Sequence, residues 1–437
     1  LTANFHLKFQ NSLLNLLAEG YLNPTLCKPW LDKGFRNTVN LMQFEQPGWA
    51  NVHLLIPTNA PSNLSGNGSI RLGKTATRGA WIDSASANFS VSNQATTFQN
   101  LTVSIANRTG TGTLIYDFGN KQILLSSIRS NLPPDKVLLW ADPNIVKTIQ
   151  PYKFRSPPTI LANGTVGLTS SSDTNLSLSI SSNDGLDYEL LGKNLHFSNI
   201  TASVSIQKNT LLANIHSASL FNGSVQIQTI ASLLPSNPTY QLKLNLNRVD
   251  FAPLSKLYFD YSESTGELSG HFSYSSDYSN PENLVGSGHL RIEDGNVFAI
   301  PIFGPLSPLI SSVIPGAGYQ NSRLATASFS VANQTIHTND LEIVGQGFSL
   351  YGSGNIFFVK NQLDLTVRLN VKGTPGFLLF PISKFFEYYS DGSLQNPQWR
   401  PKNIPAELYG SGLLEPLTRP VKNLLLPKKV SSPSTPP

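Results

Sequence analysis

The chain has 437 residues, 40% of them hydrophobic, enough for a substantial core in one long assembly or in several domains. Charged residues reach only 13% against the usual ~25%. The net charge of +5 is spread thinly, with no Arg/Lys run interleaved with aromatics, which argues against a nucleic-acid partner. Cys27 is the single cysteine, which excludes an internal disulfide or a cysteine-built metal site.

Residues 1–50 read as an irregular, partly helical lead-in. A short helix is predicted over 11–19, and Pro24 and Pro29 interrupt the stretch after it. Leu1 stands where a methionine would open a reading frame, so the chain is expected to be the C-terminal part of something longer. From residue 51 onward strands dominate. Turn signals fall at Ser65-Gly66-Asn67-Gly68 and at Asn93-Gln94.

One phrase then occurs three times. It reads Ala-Asn-Phe-Ser-Val-Ser-Asn-Gln at 87–94, Ala-Ser-Val-Ser-Ile-Gln-Lys-Asn at 202–209 and Ala-Ser-Phe-Ser-Val-Ala-Asn-Gln at 327–334. Ala87, Phe89 and Val91 share one side of a strand, as do Ala202, Val204 and Ile206, and Ala327, Phe329 and Val331. Period two is the mark of a half-buried strand. The copies are too far apart for a short solenoid and read as one β-meander used several times. After 87–94 come strands at 101–106, 113–118 and 122–128. After 327–334 come 341–344, 348–351, 356–359 and 363–371. In the last of these Leu363, Leu365, Val367, Leu369 and Val371 alternate with Asp364, Thr366, Arg368 and Asn370. Short helices are predicted in the connections at 133–149, 230–234, 301–314 and 377–389. The segment 296–315 is apolar but holds four prolines, which exclude a membrane-spanning helix.

The predicted fold is mainly β: repeated antiparallel β-meanders forming a long curved sheet or groove, with short amphipathic helices near the C-terminal end. The organisation is a lead-in (1–50), β-meander units at 51–165 and 166–285, a C-terminal β unit with helices at 286–425, and a disordered tail at 426–437.

Catalytic signatures are missing. The seven histidines are scattered, without a His-x-x-x-His or His-x-His pair, and no nucleophile elbow or phosphate loop occurs. Asp117-Phe118-Gly119 spells a kinase triplet at what reads as a hairpin turn. The run Gly286-Ser-Gly-His-Leu-Arg-Ile-Glu-Asp-Gly295 keeps strand alternation throughout and is read as a strand. Ten Asn-x-Ser/Thr sequons, at Asn63, Asn67, Asn88, Asn100, Asn107, Asn163, Asn175, Asn199, Asn222 and Asn333, are read as chance matches in a chain rich in these residues. The expectation is a non-enzyme without cofactor or metal. Alternation cannot separate an apolar sheet face packed on a second sheet from one that stays open, so both stand on the residues alone.

Residues 284–399 resemble the C-terminal region of AsmA-like proteins. The resemblance is carried by the run Gly286–Gly295, by Ala299-Ile-Pro-Ile-Phe-Gly-Pro-Leu-Ser307, the strand from Ala327, Tyr351-Gly-Ser-Gly354 and Pro397-Gln-Trp-Arg-Pro401. That family is similar to TamB-type bridge-like lipid transfer proteins. The resemblance implies a periplasmic protein of a Gram-negative bacterium, anchored in the inner membrane by an N-terminal helix and reaching toward the outer membrane. It implies phospholipid acyl chains as the partner, guided along an apolar β-groove in lipid transport and outer-membrane biogenesis. No anchor helix occurs in this sequence. Phe89, Val91, Val204, Ile206, Phe329, Val331, Leu365 and Val367 are the candidate lipid-binding positions. The helices predicted at 306–314 and 377–389 are expected to pack across or beside the apolar face near one end, with Phe385, Phe386, Tyr388 and Tyr389 as interfacial aromatics. The rival readings are a closed β-sandwich surface or adhesion protein without a lipid path, and a carbohydrate-active enzyme, for which the sparse acids offer no obvious pair.

Overall fold

The computed structural model describes residues 3–10, 12–23, 25, 39–60, 63–92, 94–141, 146–147, 149–234, 236, 238–262, 264–277, 280, 283–313, 322–372, 386–394 and 396–403. Strand makes up 67% and helix 10% of it. By contacts the chain divides into unit one, Leu1–Ser219 with Ile227–Asn237, and unit two, Leu220–Gln226 with Pro238–Pro437.

Unit one contains β1 (Ala3–Gln10), β2 (Leu13–Leu22), β3 (Met42–Phe44), β4 (Gly48–Pro57), β5 (Ser65–Leu72), β6 (Thr75–Thr77) and β7 (Ala80–Ile82). Next come β8 (Ser84–Ser92), β9 (Ala95–Ile105), β10 (Arg108–Asp117), β11 (Gln122–Ser130), helix α1 (Pro134–Ala141), β12 (Tyr152–Phe154) and β13 (Thr159–Gly167). The series continues with β14 (Asn175–Ser182), β15 (Leu186–Leu190), β16 (Lys193–Gln207) and β17 (Thr210–Leu220), while the residues of β18 (Gly223–Ser232) are divided between the two units. The main ladder is antiparallel and runs β1–β2–β4–β5–β8–β9–β10–β11–β13–β14–β16–β17. The sequence makes strands here because apolar and small polar residues alternate. In β14, Leu176, Leu178 and Ile180 are half-buried while Asn175, Ser177 and Ser179 are exposed.

Alternate connections of an antiparallel ladder fall at opposite edges. In unit one the plain turns after β1, β4, β8, β10, β13 and β16 share one edge. The other edge carries the extra elements: the small sheet β6 makes with β3 and β7, helix α1, and the pairing of β12 with β15. A satellite core of Ile82, Ile105 and Leu132 closes there, with Trp140 of α1 donating its indole N–H to Ala80 O at 2.9 Å.

Bulges keep the apolar side chains in phase. In β11 the register slips between Leu125 and Ile128, so two residues an odd number apart both face the apolar side. Ser127 takes a positive φ there, and its amide donates to Asn163 Oδ1 at 2.7 Å.

Unit two holds β19 (Thr239–Asp250), α2 (Phe251–Phe259), β20 (Glu267–Asp277), β21 (Val285–Gly295), α3 (Leu306–Val313) and β22 (Ser322–Ala332). It continues with β23 (Thr335–Val344), β24 (Phe348–Phe357), β25 (Gln362–Val371), β26 (Glu387–Gly392) and β27 (Pro397–Pro401). The antiparallel ladder runs from β19 to β27 in chain order. Both helices lie in connections at the same edge, after β19 and after β21. Asp250 caps α2 by accepting from Ala252 N–H. A closed core joins Leu306 and Ile310 of α3 to Ile343, Leu350, Leu363, Leu365, Val367, Leu369, Tyr388 and Trp399. Trp399 donates to Ile302 O at 2.7 Å, tying β27 to the segment that leads into α3.

The mainly β, antiparallel meander expectation holds, as do the helices expected within 133–149 and 306–314. Five local expectations are corrected. The strands expected separately at 348–351 and 356–359 are one strand, β24, whose pairing with β23 and β25 runs straight through Gly352 and Gly354. The helix over 11–19 is strand β2 from Leu13, because pairing with β1 and β4 on both sides outweighs its local pattern. Ser65–Gly68 is no turn and opens β5. Residues 230–232 finish β18 in place of a helix. In the segment 377–389, residues 377–385 lie outside the described residues, and Glu387 onward is strand β26. The tail at 426–437 also lies outside them.

Candidate functional site

Residues directly opposite in an antiparallel ladder share a face, and neighbouring strands lie ~4.8 Å apart. Following partners from strand to strand in unit one traces one row: Phe5, Ala18, Val52, Gly68, Phe89, Phe98, Leu114, Leu125, Gly164, Leu176, Ile206 and Leu211. Every member is apolar or glycine. The row crosses all twelve strands of the ladder, so its eleven steps span roughly 53 Å. A second row runs beside it through Leu7, Leu16, Leu54, Gly66, Val91, Thr96, Tyr116, Ile123 and Val166.

Burial separates this face from a core. None of the twelve is buried: Phe5 is 61% exposed and the other eleven are half-buried. A face packed on a second sheet would have interior positions along such a row, as the unit-two core has. The opposite face carries Asn67, Ser90, Thr97, Thr165, Asn175, Gln207 and Thr210, with Ile115 and Leu124 among them.

The eight candidates divide along the same line. Phe89 and Ile206, from the first and second repeat phrases, lie on the single row. Val91 lies on the second row, and Val204 lies beside the first, opposite Leu178 and Ala213. All four are half-buried. Phe329 is half-buried in unit two, where it and Phe272 reach over Gly288 with ring centroids 5.7 Å apart. Val331, Leu365 and Val367 are 4%, 2% and 1% exposed, so these three are interior packing residues and not positions on an open face. The expected interfacial aromatics are corrected in the same way. Phe386 and Tyr388 belong to the closed core, Tyr389 is half-buried, and Phe385 lies outside the described residues. Packing of the 306–314 helix against apolar strand residues is as expected, through Leu306 and Ile310.

What the repeat phrase alone missed is its partner strand. Gly66-Asn-Gly68-Ser-Ile70-Arg-Leu72 echoes Gly286-Ser-Gly288-His-Leu290-Arg-Ile292, and both pair with the phrase in one register: Gly66↔Val91, Gly68↔Phe89 and Ile70↔Ala87 against Gly286↔Val331, Gly288↔Phe329 and Leu290↔Ala327. The middle copy keeps the register and exchanges volumes, with Leu176↔Ile206, Leu178↔Val204 and Ile180↔Ala202. Where the phrase has phenylalanine its partner is glycine, and where the middle copy has valine the partner is leucine. A Cβ on Gly68 would run into Asn51 O on the neighbouring strand and come within 2.7 Å of Phe89 Cε1, so glycine there accommodates both the close backbone and the ring opposite.

A cleft of about 500 Å³ lies in unit two beside His271, His289 and His337. His271 and His289 stack at 5.7 Å, His289 approaches Ser328 Oγ (3.2 Å) and Thr326 Oγ1 (3.1 Å), and His337 Nδ1 lies 2.9 Å from Asn355 Oδ1. These rings are engaged by sheet neighbours, and no group of three or more His, Cys, Asp or Glu among the described residues is arranged to hold a metal. No helix among the described residues is long and apolar enough to cross a membrane. No family model, curated protein or solved structure matches the chain.

Proposed function

We propose that this chain is a non-enzymatic AsmA-like protein that binds and guides phospholipid acyl chains along an apolar sheet face. The observation that carries the reading is the uncharged twelve-residue row of unit one, none of it buried. Its span of roughly 53 Å exceeds the ~30 Å hydrocarbon core of a bilayer, so a chain lying on it meets apolar contacts throughout. Each methylene moved from water onto such a surface gains about 0.8 kcal/mol, without any reactive group. The resemblance of residues 284–399 to AsmA-like proteins extends this to intermembrane lipid transport and outer-membrane biogenesis. The full-length protein is then periplasmic, anchored in the inner membrane and reaching toward the outer membrane. The rival, a closed β-sandwich adhesion protein, draws support only from the unit-two core. Solvent extraction of the purified protein followed by mass spectrometry tests the proposal. Phospholipid recovered in stoichiometric amount is the expected result. A folded protein free of lipid, which also fails to bind an added acyl probe, would overturn it.

A further inference from the structure

Strand β16 is longer than its place in the ladder requires. Its rungs with β14 and β17 reach back to Ser198, and the residues before that, Lys193–Phe197, pair with β15 instead. The β15–β16 hairpin therefore stands out from the ladder by roughly 17 Å, with β12 as its third strand. Its two faces differ. Cross-strand partners share a face, which puts Tyr152, Phe154, Leu186, Tyr188, Leu190 and Phe197 on one side, and Lys153, Asp187, Glu189, Asn194 and His196 on the other. The Tyr152 and Tyr188 rings lie 5.4 Å apart, and Lys193, opposite Leu190, ends the apolar side. The turn is Leu191-Gly192, with φ of 51° and 75°. Asn, Asp or Gly adopts that backbone at least cost. Leu191 is 86% exposed, the most of any large apolar side chain among the described residues, and Leu190 and Tyr152 are 43% and 48% exposed. Phe221 also has positive φ in a hairpin turn but is half-buried. Burial in the fold therefore gives no reason for leucine at 191.

Charge is arranged around the same hairpin. Lys147 and Lys153 line a cleft of about 610 Å³ together with Tyr152 and Phe154. Neither these two lysines nor Lys193 makes an ion pair among the described residues. Of the acids nearby, Asp187 is held by Arg155 and His196, Asp135 lies 3.8 Å from Lys136, and Glu189 is on the face away from the tyrosines. We propose that the hairpin docks on a lipid surface bearing anionic headgroups. Leu190 and Leu191 enter the acyl boundary, Tyr152 and Tyr188 sit at headgroup level, and the lysines meet the phosphates. Tyrosine and lysine bordering an apolar tip suit an interface that is apolar on one side and wet on the other. A protein partner fits worse, because a narrow hairpin tip does not offer the ~800 Å² a side that a stable interface buries. The inference rests on the hairpin and not on what the apolar row binds.

The test is flotation of the full chain with vesicles of phosphatidylcholine and phosphatidylglycerol in a ratio of about three to one. Wild type should float with them. Leu191→Asn suits the positive φ, so the variant should keep or raise the melting temperature while binding the vesicles at least about fivefold more weakly. Lys193→Glu should weaken binding to these vesicles about fivefold or more, and binding to pure phosphatidylcholine vesicles much less. Binding of a soluble acyl probe should stay at the wild-type level in Leu191→Asn. Absence of flotation, or flotation that Leu191→Asn leaves unchanged, would overturn the inference. So would equal loss of acyl-probe binding in that variant, which would remove the separate site. A dimer that Leu191→Asn dissociates would overturn it too, since the occupant is then a second copy.

Discussion

Leu114 and Ile115 are neighbours in β10 with similar half-burial and opposite facing, which makes them a controlled pair. Leu114 sits in the apolar row between Phe98 and Leu125, whereas Ile115 lies between Thr97 and Leu124 on the other face. A carboxylate placed under hydrocarbon carries a desolvation penalty of several kcal/mol once the site relaxes. At a half-buried position the low end applies, about 2–3 kcal/mol, which is roughly 30- to 150-fold in Kd. That cancels the contribution of about three or four methylenes. Leu114→Asp should therefore weaken binding of a fluorescent long-chain acyl probe by that factor, and Ile115→Asp by less than about threefold. Urea melts of both variants show whether each stays folded under the assay. Equal weakening by the two substitutions, with both proteins folded, would refute the reasoning, because facing would then be irrelevant.

Gly288→Leu should destabilise unit two by about 1–3 kcal/mol, because a Cβ there meets Phe329 Cζ at 2.6 Å. Adding Phe329→Val copies the Leu178–Val204 pair, so urea denaturation should give a favourable coupling of about 1 kcal/mol; strict additivity would count against volume exchange between the repeats. Trp399→Phe leaves Ile302 O without its indole donor and should lower stability by about 1–2 kcal/mol, read from the urea midpoint. The Arg155 guanidinium, hydrogen-bonded to Asp187, holds that carboxyl below its usual range, with His196 adding to the effect. A lowered folded-state value contributes stability above the unfolded value of ~3.9 and loses it as pH falls further. Asp187→Asn should accordingly lower the melting temperature near pH 7 by the equivalent of no more than about 1 kcal/mol, with the difference vanishing in strong acid.

Strand content was legible because period two is written plainly in stretches such as 176–180 and 363–369. The ladder between those stretches was less so. Leu13, Leu14, Leu16 and Leu17 satisfy helical spacing as well as strand spacing, and only the two flanking strands decide. Gly66 and Gly68 read as a turn because glycine usually marks one, whereas at Gly68 the missing Cβ admits a ring. Bulges hide the apolar row, since Leu125 and Ile128 share a face at a spacing that alternation assigns to opposite faces. The sequons acquire a backbone reason too. Asn100, Asn107, Asn199, Asn222 and Asn333 all have positive φ, a conformation asparagine tolerates better than most residues. Open and closed faces could not be told apart in sequence. Leu365 and Leu176 stand in equivalent alternations, yet one is 2% exposed and the other half-buried.

That last contrast bears on function more than any single residue. Unit two covers its apolar strands with side chains of its own, Leu306 and Ile310, each 0% exposed. Burial of apolar surface is worth about 25 cal/mol per Å², so a cover of this kind adds stability wherever the chain supplies one. Unit one has its own helix and small sheets, but α1 packs over one edge of the ladder with Ile82 and Leu132 and leaves the twelve-residue row half-exposed. Its connections thus close the edge where loops would fray and stop short of the face. A sheet arranged for stability alone would extend that cover. A sheet arranged to hold hydrocarbon has to leave the face free, and Ser, Thr and Asn on the opposite face then keep the ladder in water. The acyl-chain reading therefore makes a demand on the middle of the face: covering it, for instance with a tethered apolar helix, should raise stability and abolish lipid binding together.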